Sequence, residues 1–154
     1  MSITYSNCCP VSDKYKETGD CTVKAIAIAT NTPYIKAHAL LRTLGRKNRK
    51  GIDPWCWTRK VSLEAVKSLG FTPRVIKIPK CTVAKVCNHL IKSKSYIVTI
   101  RGHTLAVVNG VIQDHTNPLF NKDRKKTSGA HVQCVMEITR TISKNAQRKL
   151  ARYG

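Results

Sequence analysis

The chain has 154 residues, 42% of them hydrophobic, and carries 28 Lys and Arg against 8 Asp and Glu, a net charge of +20. That length suits one domain with a real core, hiding roughly 70% of its unfolded surface. No stretch approaches the ~20 apolar residues of a membrane span, and the charge favours nucleic acid or another polyanion as a partner.

The N-terminus, "MSITYSNCCPVSDKYKETGD", has no basic-then-apolar pattern, so no secretion signal is read and a cytoplasmic chain is expected. Seven cysteines are an odd number for a disulfide framework and point to reduced thiols. "CTVKAIAIAT" follows Asp20, an N-cap residue type, and is apolar nearly all round: a central buried helix beginning at Cys21. "NTPYIKAHALLRTLG" predicts a second helix capped by Thr32, with Pro33 at its first position. Ile35, Ala39, Leu40 and Leu44 form its apolar face, and Gly45 stops it. "RKNRKG" reads as an exposed basic loop and "IDPWCW" as a packed one.

"SLEAVKSLG" predicts a third helix with Ser62 as cap and Gly70 as stop, and "FTPRVIKI" a strand. "CTVAKVCNHLI" predicts a helix capped by Thr82. The period then changes to two: "SYIVTI", "TLAVV", "VIQD" and, beyond a long polar loop, "AHVQCVMEI" predict strands. Helices first and a mostly antiparallel sheet second is an α+β fold. Residues 1–138 are expected to form the domain and 139–154 a basic tail. No internal repeat is present.

The hairpin "RGHTLAVVNGVIQDH" carries the most chemistry. Asn109-Gly110 is a two-residue type I′ turn signal. If Val108 pairs with Val111, Leu105 lies opposite Asp114, and His103 shares a face with Leu105. His103 and Asp114 are then diagonal neighbours about 7 Å apart at Cβ. A carboxylate-oriented imidazole suits a nucleophile, and Cys21 at a helix start sees the positive end of the dipole, which favours its thiolate.

In this arrangement the chain resembles the papain-like cysteine peptidase superfamily, with "GDCTVKAIAIAT" as nucleophile helix and "GHTLAVVNGVIQD" as histidine hairpin. The 82-residue step from Cys21 to His103 is similar to small phage and bacterial members such as bacteriocin-leader-processing peptidases. The resemblance implies an N-terminal central helix carrying the Cys, packed on an antiparallel sheet carrying the His. It also implies a cysteine-dependent hydrolase with Cys21, His103 and Asp114 as catalytic residues, Asn117 as the alternative third member, a protein or peptide substrate and no cofactor. Many members carry a Gln six residues before the Cys. Here Tyr15 stands in that place, and its hydroxyl is the expected oxyanion donor beside the Cys21 amide. The compact, very basic chain also resembles phage- or virus-encoded proteins.

Other readings remain open. The same triad serves a deamidase or a transglutaminase-like transferase, and the same scaffold can be a non-catalytic binding module. Nucleic-acid contacts are expected at Arg46, Lys47, Arg49 and Lys50, at Arg124, Lys125 and Lys126, and at Arg148 and Lys149. Trp55 and Trp57 are read as packing residues rather than base-stacking ones. Cys81, Cys87 and His89 have no matching second pair, so no metal site is expected.

Overall fold

The computed structural model describes residues 3–4, 8, 20–47, 50, 52–53, 57–113 and 129–141. These form an α+β fold of four helices and one five-stranded antiparallel sheet. Helix α1 is Cys21–Ala29 and α2 is Tyr34–Thr43. A π-helical turn, Trp57–Val61, leads into α3, Ser62–Ser68, and α4 is Val83–Val86, continued by the 3-10 turn Cys87–His89. The strands are β1 Phe71–Ile76, β2 Ser95–Ile100, β3 His103–Val108, β4 Val111–Gln113 and β5 Val132–Arg140.

The sheet order is β1-β5-β2-β3-β4. The last strand therefore enters the middle, pairing with β1 on one side and β2 on the other. The β2–β5 register slips at Thr99/Ile100, where Ile100 pairs with Val132 and Gln133 is the extra residue. Edge strand β1 carries Pro73 and Arg74, residue types that blunt an open edge against pairing with another chain.

The sheet separates two apolar layers. On one face Ile97, Ala106, Met136 and Ile138 pack with α1, α2, the π turn and α3. On the other, Tyr96, Val98, Ile100, Leu105, Val107 and Val135 pack with Val83 and Val86 of α4. The second layer also holds a buried carboxylate. Glu137, 5% exposed, lies 3.0 Å from Lys94 Nζ and 3.8 Å from Arg74 Nε, and the Tyr96 hydroxyl donates to it at 3.4 Å.

Helix α1 is buried from Thr22 to Ala29, as its composition requires. Ala25 and Ala27 of the helix and Ala106 of the sheet are 0–1% exposed; the two helix alanines point to opposite sides of α1, so small residues let it pack closely on more than one neighbour. The Asn109-Gly110 turn has the two positive φ values of a type I′ hairpin, 53° and 75°. A Cβ at Gly110 would also meet the Lys92 side chain at 2.8 Å.

Several sequence expectations are corrected. The buried residues of α2 are Tyr34, Ala37 and Leu41; of the expected face, Leu40 and Leu44 pack half-buried against the core, whereas Ile35 is 57% exposed and Ala39 is exposed. The helix is rotated because the Tyr34 hydroxyl has an interior partner, Asp20. Pro33, not Thr32, is the N-cap, and the Thr32 hydroxyl instead accepts from Thr30. Ser62 lies inside its helix behind Val61, because the π turn extends the helical backbone backwards. Arg46 is 3% exposed, so the basic loop is not exposed throughout, though Lys47 and Lys50 are. Trp57 packs as expected: at 2% exposure it belongs to the core.

These positions differ in cost. Leu41→Ala should destabilise by about 2–5 kcal/mol, by lost burial and a cavity, and Ala106→Leu by about 1–3 kcal/mol, by overpacking the α1 contact. Ile35→Ala should stay within about 0.5 kcal/mol. Urea unfolding midpoints check the order, and an Ile35 cost matching that of Leu41 would restore the original face assignment.

Candidate functional site

Cys21 is the first residue of α1 and is partly exposed. The first-turn amides of a helix lack intrahelical acceptors and favour an anion. Asp20 does not fill that position: its carboxylate makes no capping hydrogen bond. One oxygen accepts the Tyr34 hydroxyl at 2.7 Å and the other lies 3.4 Å from Lys24 Nζ. Asp20, Lys24 and Tyr34 are 6%, 7% and 4% exposed. This buried cluster was missed in the sequence, where Lys24 reads only as the one charge in an apolar helix. Its signal is the Asp20–Lys24 spacing of four, which places opposite charges one helical turn apart.

His103 is the first residue of β3, directly after the Arg101-Gly102 turn, and is 8% exposed. The hairpin has the expected register: Val108 pairs with Val111, Val107 with Ile112 and Ala106 with Gln113. Asp114 follows the last paired residue and lies outside the described residues, as do Asn117 and Tyr15.

Helix α1 packs on β3 through the face that carries Ala106 and Val108. Alternation puts Thr104 on that face, and His103 with Leu105 and Val107 on the other. Its cross-strand partner, Ile100, also belongs to the second layer. The shared face of His103 and Leu105 is thus as expected, but it is not the face that α1 covers. A Cys21–His103 pair has to form around the open end of β3 rather than across the flat of the sheet.

The other cysteines differ from Cys21 in environment. Cys8 is wholly buried. Burial pushes the thiols of Cys87 and Cys134 up from the ordinary range, leaving less thiolate at neutral pH. Cys81 is partly exposed, and Cys9 and Cys56 lie outside the described residues. Among the described residues no three of His, Cys, Asp and Glu gather closely enough to hold a metal ion.

Of the residues expected to meet nucleic acid, Lys47 and Lys50 are exposed and line, with Lys60, Asp53 and Glu64, an open cavity of about 640 Å³ at the C-terminal end of α2. Arg46 is buried behind them. Arg49, Arg124, Lys125, Lys126, Arg148 and Lys149 lie outside the described residues. No described helix is long and apolar enough to cross a membrane.

Comparison of the chain with protein-family models, with curated proteins and with solved structures returned no match.

Proposed function

We propose that this chain is a small cysteine-dependent hydrolase, a peptidase-type enzyme on a papain-like scaffold. The observation that supports it most is the placing of Cys21: a partly exposed thiol opens the central buried helix, and that helix lies on the strand that begins with His103.

In this reading the Cys21 thiol loses its proton to His103, and its sulfur attacks the carbonyl carbon. The Cys21 amide, with the Tyr15 hydroxyl, holds the developing oxyanion. Collapse breaks the bond to the leaving amine, which takes the proton from His103, and a thioester remains. Water then gives its proton to His103 and attacks the thioester, releasing the acid and the thiolate. Asp114, or Asn117 in its place, keeps the imidazole oriented. Loss of ammonia in the first step makes the same enzyme a deamidase, and an amine in place of water makes it a transferase.

A second reading, polyanion binding, is supported by where the acids sit. Of the four carboxylates among the described residues, Asp20 and Glu137 are buried beside cations, and only Asp53 and Glu64 are exposed.

Three outcomes test these readings. Brief iodoacetamide labelling at pH 6 with peptide mapping should modify Cys21 first, Cys87 and Cys134 slowly, and Cys8 only after unfolding. Equal rates at Cys21 and Cys81 would remove the activated thiolate.

On an acyl substrate, His103→Ala should abolish turnover. Asp114→Asn should lower it partly, because an amide oxygen still accepts the imidazole N–H, and Asp114→Ala should lower it further. A larger loss in Asn117→Ala than in Asp114→Ala would assign the third position to Asn117.

Binding to duplex DNA should weaken steeply with salt, and the log–log slope should flatten when residues 142–154 are removed. The cut spares β5, whose Arg140 stacks on Phe71 at 5.4 Å, and Thr141, whose N–H donates to the Gly70 carbonyl at 2.9 Å. Retention indifferent to salt would exclude an electrostatic origin.

A further inference from the structure

An aspartate placed just before a helix ordinarily turns its carboxylate onto the first-turn amides. Asp20 occupies that position, and its backbone carbonyl accepts the Lys24 N–H at 3.0 Å, yet its side chain makes no cap. Tyr34, reaching in from α2, takes one carboxylate oxygen, and the Lys24 ammonium sits beside the other. All three side chains are buried, and buried ion pairs are poor sources of stability because both charges must be desolvated. The arrangement therefore asks for a reason other than stability.

The reason lies in the next residue. A bare carboxylate adjacent to Cys21 would repel a thiolate. A carboxylate capping the first turn would occupy the donors that a thiolate or an oxyanion needs. We propose that Asp20, Lys24 and Tyr34 form a positioning clamp for the Cys21 thiolate: Lys24 cancels the negative charge beside it, and Tyr34 holds that charge off the first-turn amides. The proposal rests on the reading of Cys21 as nucleophile.

The other ionisable groups on the elements packed against α1 are His103 at the start of β3, His38 on α2, whose ring centroid lies 5.9 Å from that of Tyr34, Tyr96 of β2 in the second layer, and the exposed Lys36 and Arg42 of α2 and Glu64 and Lys67 of α3. β2 and α3 contribute Ile97, Ala65 and Val66 to this layer. His103 and His38 are unaltered in the variants below.

The test is the pH profile of Cys21 alkylation, resolved by peptide mapping on the full-length chain. Lys24→Met leaves the carboxylate uncancelled, and the midpoint should rise by about one unit. Asp20→Asn leaves the ammonium uncancelled, and the midpoint should fall. The double variant should return close to wild type. Tyr34→Phe loses one hydroxyl and should raise the midpoint; it carries the test if Lys24→Met does not fold. A merely structural role predicts no opposite shifts and no restoration in the double variant.

An activated wild-type Cys21 whose midpoint ignores all the substitutions, or moves the same way in Lys24→Met and Asp20→Asn, overturns the clamp alone. A wild-type Cys21 no more reactive than Cys81 overturns the nucleophile and the clamp together.

Discussion

The close approach of α1 to β3 is the contact on which the rest of the structure depends. Ala106 carries almost no side chain into the layer that α1 shares with β3, and Val23, Ile26 and Ile28 fill the space around the helix. The helix is too apolar to stand at a surface and too short to be stable alone. Its stability comes from being enclosed by the sheet, α2 and α3. That enclosure leaves its first residue, Cys21, partly exposed at the edge of the core.

The charge pattern follows the same division between inside and outside. Two acids are drawn inside and matched, Asp20 by Lys24 and Tyr34, Glu137 by Lys94, Arg74 and Tyr96. Glu137 ties the turn before β2 to the centre of the sheet, remote from α1 in the other layer. Asp20 stands at the mouth of α1, so its neutralisation bears directly on the neighbouring sulfur. A chain of such excess positive charge still places its few interior carboxylates beside cations, since an unpaired buried charge is far costlier than a paired one.

The local elements were legible in the sequence, and their relations less so. Asn109-Gly110 determined the hairpin, because few residue pairs tolerate two positive φ values. Its register then followed, and with it the common face of His103 and Leu105. The insertion of β5 between β1 and β2 was not legible, since nothing local in "HVQCVMEI" encodes partners 32 to 69 residues away. The rotation of α2 was hidden for a related reason: Ile35 is more hydrophobic than Tyr34, but only the tyrosine has an interior hydrogen-bond partner. Asp20 shows the limit of capping rules, which describe a residue's preference in isolation and not the pull of Lys24 and Tyr34. At the candidate site, Cys21 and His103 could be placed on their elements, but not the face of the sheet that α1 would cover.

The central claim is that Cys21 and His103 work together around the open end of β3. The most direct measurement is a crystal structure of the full-length chain after reaction with a peptide aldehyde. The account predicts a thiohemiacetal on Cys21, with a His103 ring nitrogen within about 4 Å of the sulfur and the new oxygen directed at the first turn of α1. Cys21 left unmodified, or modified with no His103 ring nitrogen near its sulfur, would contradict it.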